Sequence, residues 1–118
     1  MVKLESLKKS IQFKKALSEK KIHTDYFSIF EAKNFLKPKH KSNLLISFVM
    51  KKKIGNAVKR NKIRRKLKAN IQILLKKRGA ISKDYTYIVF GKSNAYAQKQ
   101  DVLLPLIEES FRRLKKIR

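Results

Sequence analysis

Lys51-Lys52-Lys53-Ile54-Gly55-Asn56-Ala57-Val58-Lys59-Arg60-Asn61-Lys62-Ile63-Arg64-Arg65-Lys66-Leu67-Lys68 is the stretch on which the fold turns. It places ten Lys or Arg among eighteen residues and admits no acid. Residues 44–50, just before it, read as a strand, and Gly55 and Asn56 mark the junction where the strand-like run gives way to a helix-like one. Over 57–77 the apolar residues Ile63, Leu67, Ile71, Leu74 and Leu75 recur at intervals of three and four, which predicts one buried stripe on a long helix. Gly79 is its natural stop. At about 100° per residue, Lys59, Lys62, Arg65, Lys66 and Lys68 fall on the arc away from the stripe, and Arg60 and Arg64 at its edge. The predicted helix has a dry face and a wet, basic one.

Charge of one sign at this density repels itself, so a folded chain that carries it calls for a polyanion nearby, and nucleic acid fits best. Across 118 residues the formal net charge is +24, from 32 Lys and Arg against 8 Asp and Glu. The isoelectric point near 10.6 lies beyond the basic threshold typical of nucleic-acid-binding domains. Between Glu31 and Asp84 there are eighteen Lys or Arg and no acid. A hydrophobic content of 42% still argues against a disordered basic tail, because that much apolar surface can build a core. The length is that of one domain, 1–118, with no linker composition to divide it. The lack of cysteine excludes disulfide scaffolds, thiolate zinc sites and cysteine nucleophiles. The N-terminus has no apolar signal-peptide core, and the longest apolar runs, 44–46 and 48–50, are too short to span a bilayer. The expectation is a soluble, cytoplasmic protein.

Outward from the basic run, Ile11, Phe13, Ala16 and Leu17 space out a short amphipathic helix over 10–17, with Ser10 as its N-cap. Residues 26–30, aromatic and β-branched, read as a strand, and the polar Lys37-Pro38-Lys39-His40-Lys41 as a hairpin loop leading to the strand at 44–50. These two strands are expected to pair antiparallel. Tyr85-Thr86-Tyr87-Ile88-Val89-Phe90 is the strongest strand by composition. Leu103, Ile107, Phe111 and Leu114 then describe a closing amphipathic helix with Asp101 as its candidate cap. The order is helix, strands, helix, strand, helix, an α+β chain.

The run from Lys52 to Arg65 resembles the signature of the bacterial ribonuclease P protein component family. It combines a Lys-Lys-Ile-Gly-Asn-Ala-Val block at 52–58 with the Arg60-Asn61 pair and further basic residues at fixed offsets. Leu7-Lys8-Lys9 followed by Phe13, and then Phe27 with Phe30, are similar to the family's N-terminal helix and first aromatic strand. The departures are specific. Lys62 stands where the family has a second Arg, keeping the charge but not the planar fork. Leu17 stands where an aromatic is common, and Val49-Met50-Lys51 replaces a Ser-Val-Ser.

What the resemblance implies is a single-domain α/β sandwich, a small mixed sheet packed against helices in the order α-β-β-β-α-β-α. Its basic helix would join two parallel strands by a left-handed crossover, against the general right-handed rule. The resemblance also implies a subunit of a ribonucleoprotein endonuclease, one protein per RNA subunit, in which the RNA performs Mg2+-assisted hydrolysis and no protein residue is catalytic. The RNA subunit would lie on Lys52, Lys53, Asn56, Lys59, Arg60, Asn61, Lys62, Arg64, Arg65 and Lys68. Helix-start N–H groups, the positive dipole end and these side chains all favour phosphates. The single-stranded 5′ leader of precursor tRNA would lie on Phe13, Leu17, Phe27 and Phe30, since bases stack on exposed rings with little regard for sequence.

Blander readings stand beside these. A single exposed Lys is ordinarily a solvated charge of small consequence, Asn61 suits a plain helix surface, and aromatics at alternating strand positions are ordinarily core. His23 and His40 are far apart and the acids scattered, so no acid/base pair or metal cluster emerges, and both histidines read as surface residues. Two other function classes share the size and charge: a ribosomal protein or other basic RNA-binding module without a nuclease role, and a nonspecific cationic nucleic-acid binder.

Overall fold

The strand Tyr85–Gly91, apolar on both of its sides, takes the centre of a five-stranded sheet. The computed structural model describes residues 3–7, 10–34, 38–77 and 79–117, with the backbone alone at 10–12. The chain runs β1 (Leu4–Glu5), α1 (Ser10–Leu17), β2 (Lys20–His23), β3 (Phe27–Lys33), β4 (Leu44–Val49), α2 (Ala57–Leu75), β5 (Tyr85–Gly91) and α3 (Gln100–Lys116). Single 3-10 turns occupy Lys52–Ile54 and Ser93–Ala95. The sheet order is β1-β4-β5-β3-β2, and no helix among the described residues is long and apolar enough to cross a membrane.

The expected antiparallel pairing of the strand at 26–30 with the strand at 44–50 does not form, because β5 lies between β3 and β4. It pairs antiparallel with β3, from Phe27 opposite Gly91 to Lys33 opposite Tyr85, and parallel with β4, from Ile46 opposite Tyr87 to Val49 opposite Phe90. A strand buried on both faces gains most from a central position, and Thr86 to Val89 are all buried. The parallel pairing requires a crossover, which α2 supplies. β3 makes its hairpin instead with β2, through a turn in which the Thr24 hydroxyl accepts from the Phe27 N–H at 3.1 Å and the Thr24 N–H donates to the Phe27 carbonyl at 2.8 Å. Neither β2, with its Lys-Lys-Ile-His sequence, nor the two-residue β1, parallel to β4, carries a compositional strand signal.

The helices end close to where periodicity puts them, but two caps differ. Asp101 lies exposed in the first turn of α3, and the cap position belongs to Lys99, whose side chain makes no cap bond. Ser10 opens α1 itself; its side chain, together with Lys8, Lys9 and Lys37, lies outside the described residues. Gly79, at φ 76°, turns the chain back after α2.

The sheet's two faces are covered unequally. On one, Phe27, Ile29, Leu44, Ile46, Tyr87 and Val89 meet the α2 stripe of Ile63, Leu67, Ile71 and Leu74 and the α3 stripe of Leu103, Ile107, Phe111 and Leu114. Packing there is close: a Cβ on Gly91 would stand 2.4 Å from Met50 Sδ and 2.8 Å from Ile63 Cγ2. On the other face only α1 lies over the sheet, with Leu7 and Ala16 against Ala32, Leu45 and Ile88. Eight residues of helix span about 12 Å, whereas seven-residue strands span about 23 Å, so one end of this face stays uncovered. Phe30 and Phe90 lie at that end, half-buried.

Candidate nucleic-acid interface

The start of α2 is built by local chemistry. After the Lys52–Ile54 turn, Gly55 adopts φ 152°, a conformation in which a Cβ would press on Lys59 Cδ at 2.9 Å. Asn56 then caps the helix, its Oδ1 accepting from the Lys59 N–H at 2.9 Å. No basic side chain from Lys51 to Lys68 is paired with a carboxylate among the described residues. They are nevertheless unequal. Asn61 Oδ1 accepts from Arg64 Nη1 at 2.9 Å, which holds that guanidinium on the helix surface. Lys59 Nζ donates to Ser93 Oγ at 2.8 Å and stands 5.3 Å over the Tyr96 ring, with Lys62 Nζ 4.8 Å over the same ring. Lys66, expected on the wet arc, is half-buried instead, and its ammonium donates to the Tyr96 and Gln98 carbonyls. Burial, helped by the like charge of Lys62, holds its pKa below the usual lysine value. Arg60, Arg65 and Lys68, like the exposed Lys52 and Lys53, have no side-chain partner among the described residues. The helix face therefore divides into cations that tie α2 to the loop after β5 and cations open to a phosphate.

The uncovered end of the sheet forms a groove of about 530 Å3. Its floor is the Phe30 and Phe90 rings, edge to face at 5.4 Å and 71°, with His23 edge-on to Phe30 at 5.8 Å. His23 Nδ1 and Ser28 Oγ are hydrogen-bonded at 2.6 Å. Lys51, Lys53 and Lys92 also line it, with Lys51 Nζ 5.7 Å over the Phe90 ring and Lys92 Nζ donating to the Thr24 carbonyl at 2.6 Å. The basic run and the aromatic strands thus meet: β4 delivers Lys51 and Lys53 to the rim of the groove floored by β3 and β5.

Of the rings the sequence singles out for a leader, the structure brings only Phe30 into this groove. Phe27 is 0% exposed and points to the opposite face, into the core beneath α2 and α3, so it offers no surface for a base. The reason is the strand's period of two, which sends Phe27 and Phe30 to opposite sides. Phe13 is half-buried in the cluster that includes Phe30 and Phe90, and Leu17 is 38% exposed near the end of α1; neither lines the groove. Sequence reasoning missed Phe90, Lys51, Lys92 and His23. The first had a signal, since Phe90 alternates in phase with Ile88, but its meeting with Phe30 needs the β3–β5 register, with Phe30 opposite Ile88.

The ribonuclease P family model matches residues 1–115. The chain belongs to the ribonuclease P protein family. A ribonuclease P protein component from Citrifermentans bemidjiense is 40% identical over 58 residues, which is 49% of this chain and 44% of that protein. The matched stretch thus spans less than half of that relative's length. Among solved structures, the RNase P protein of Staphylococcus aureus superposes with a TM-score of 0.65 at 23% identity, over 95% of this chain and 93% of that one. The RNase P protein from Thermotoga maritima gives 0.66 at 21%, over 93% and 94%. At such identities these likenesses speak for the fold, and they agree with the mixed sheet and three helices described above.

Proposed function

We propose that the chain is the protein subunit of ribonuclease P, binding the catalytic RNA through the open cations of α2 and the 5′ leader of precursor tRNA in the Phe30–Phe90 groove. The observation that carries this reading is the groove itself, an aromatic floor with lysines on its rim. A single strand laid there stacks its bases on the rings and sets its phosphates near Lys51 and Lys53, without hydrogen bonds that select a sequence. Lys52, Lys53, Asn56, Lys59, Arg60, Asn61, Lys62, Arg64, Arg65 and Lys68 form the RNA-subunit face, with Arg60, Arg65 and Lys68 its open charges. Removal of the leader is a phosphodiester hydrolysis. Among the described residues no group of three or more His, Asp or Glu stands together, and no step is assigned to a protein-held Mg2+. In this reading Mg2+ belongs to the RNA, one protein serves each RNA in the cytoplasm, and the protein positions substrate.

Reconstitution decides between this subunit and a ribosomal or other basic RNA-binding protein. Mixed with a bacterial ribonuclease P RNA and precursor tRNA at low Mg2+, the chain should raise leader cleavage above that of the RNA alone. An unchanged rate sinks the proposal, and affinity for that RNA no better than for random duplex at matched salt leaves a nonspecific cationic binder.

A further inference from the structure

Strand register builds the far side of the aromatic groove. Val49 pairs with Phe90, Phe90 with Ser28 and Ser28 with His23, so these four residues form one row across β4, β5, β3 and β2. Directly paired residues point to the same face of a sheet. The row begins at Val49, two residues before the Lys51 whose Nζ stands over the Phe90 ring, and ends at His23, three strand spacings or about 14 Å away. His23 is exposed, lines the groove and is held on two sides, by the hydrogen bond between its Nδ1 and the Ser28 hydroxyl and by the edge of the Phe30 ring. Its Nε2 has no partner among the described residues.

No other open cation lines this margin. Lys51 and Lys53 come from the β4 side, and the Lys92 ammonium donates to the Thr24 carbonyl. On its own strand and turn, Lys21 and Asp25 are exposed and outside the lining. β3 sets only Ser28 and Phe30 beside it, α1 carries the exposed Lys14 and Lys15 over the other end of the face, and α3 packs on the opposite face, where Ile22 points. No carboxylate stands in the described lining of the groove. Histidine is the side-chain type that ordinarily changes charge between pH 5 and 8. A phosphate beside Nε2 favours the charged ring, which donates from both nitrogens, through Nδ1–H to Ser28 Oγ and through Nε2–H to the phosphate.

We infer that His23 is a proton-switched leader contact, whose charged ring takes a leader phosphate at the β2 margin of the groove. The inference rests on the reading of the groove as the leader path and adds its regulation. Binding that takes up a proton strengthens as pH falls. Preference for an RNA that carries a single-stranded leader therefore rises on acidification, while Phe30 and Phe90 supply stacking that does not depend on pH.

The test measures dissociation constants of precursor and mature tRNA for the complex of the full chain with ribonuclease P RNA, at about pH 8 and about pH 5.5. Both tRNAs carry 5′-hydroxyl ends, since a terminal phosphate itself titrates at about pH 6. The ratio of the two constants isolates the leader, because pH effects on the rest of the complex enter both. It should rise in favour of the precursor by about threefold at the lower pH, the size of one exposed charged contact. His23→Gln should remove the rise, and His23→Lys should keep the raised ratio at both pH values. His40→Gln, at an exposed site before β4 and outside the groove, should behave as the unaltered chain. A ratio that favours the precursor equally at both pH values, or a rise that survives His23→Gln, overturns the contact while the leader groove stands. A ratio near one at both pH values overturns the leader groove and the contact with it.

Discussion

Three residues along one strand separate a ring on the groove floor from a ring in the core. Phe27 and Phe30 are both phenylalanines on β3, yet the first is sealed under α2 and α3 and the second floors the groove. Their substitutions should therefore differ in kind. Phe27→Ala removes a fully buried ring and should destabilise the chain by about 3–5 kcal/mol, read as a lower urea midpoint, with no selective effect on any RNA. Phe30→Ala should leave most of the stability and lower affinity for precursor tRNA while sparing mature tRNA. Equal losses for the two tRNAs would show that Phe30 is only core.

At the scale of elements, α2 serves two surfaces at once, and its position depends on how closely it approaches the end of β5. Gly91 makes that approach possible, because any Cβ there collides with Met50 and with Ile63 on α2. Gly91→Ala should cost about 1–3 kcal/mol of stability through overpacking. It should also weaken binding at both surfaces, since Met50 directly precedes the Lys51 and Lys53 that rim the groove. A variant with unchanged denaturation and unchanged RNA affinity would contradict this account of the packing. The helix itself was legible beforehand, because the Ile63-Leu67-Ile71-Leu74 spacing is local and the Asn56 cap needs only neighbours. Lys66 was not, since the carbonyls that bind it belong to Tyr96 and Gln98, thirty residues and more away.

For the whole molecule, a net charge of +24 makes affinity for any RNA fall with salt, so bare dissociation constants do not identify the binding face. Slopes do. Arg60→Ala should weaken assembly with ribonuclease P RNA and flatten the plot of log affinity against log salt by about one unit, whereas Lys41→Ala, an exposed charge before β4, should change neither appreciably. Equal effects from the two would mean that the field of the whole surface, not the α2 face, holds the RNA. The residues by themselves determined the composition of this balance: which segments are apolar with a period of two or of three to four, where the charge is concentrated, and, through the motif at 52–65, the family. The tertiary structure alone decided that β5 lies between β3 and β4, that Phe90 joins Phe30 while Phe27 turns away, and that a short α1 leaves their end of the sheet open. Periodicity and capping act between residues a few positions apart. The pairings that place β5 join segments that the chain holds forty and more residues apart, and nothing local to Phe30 names Ile88 as its partner.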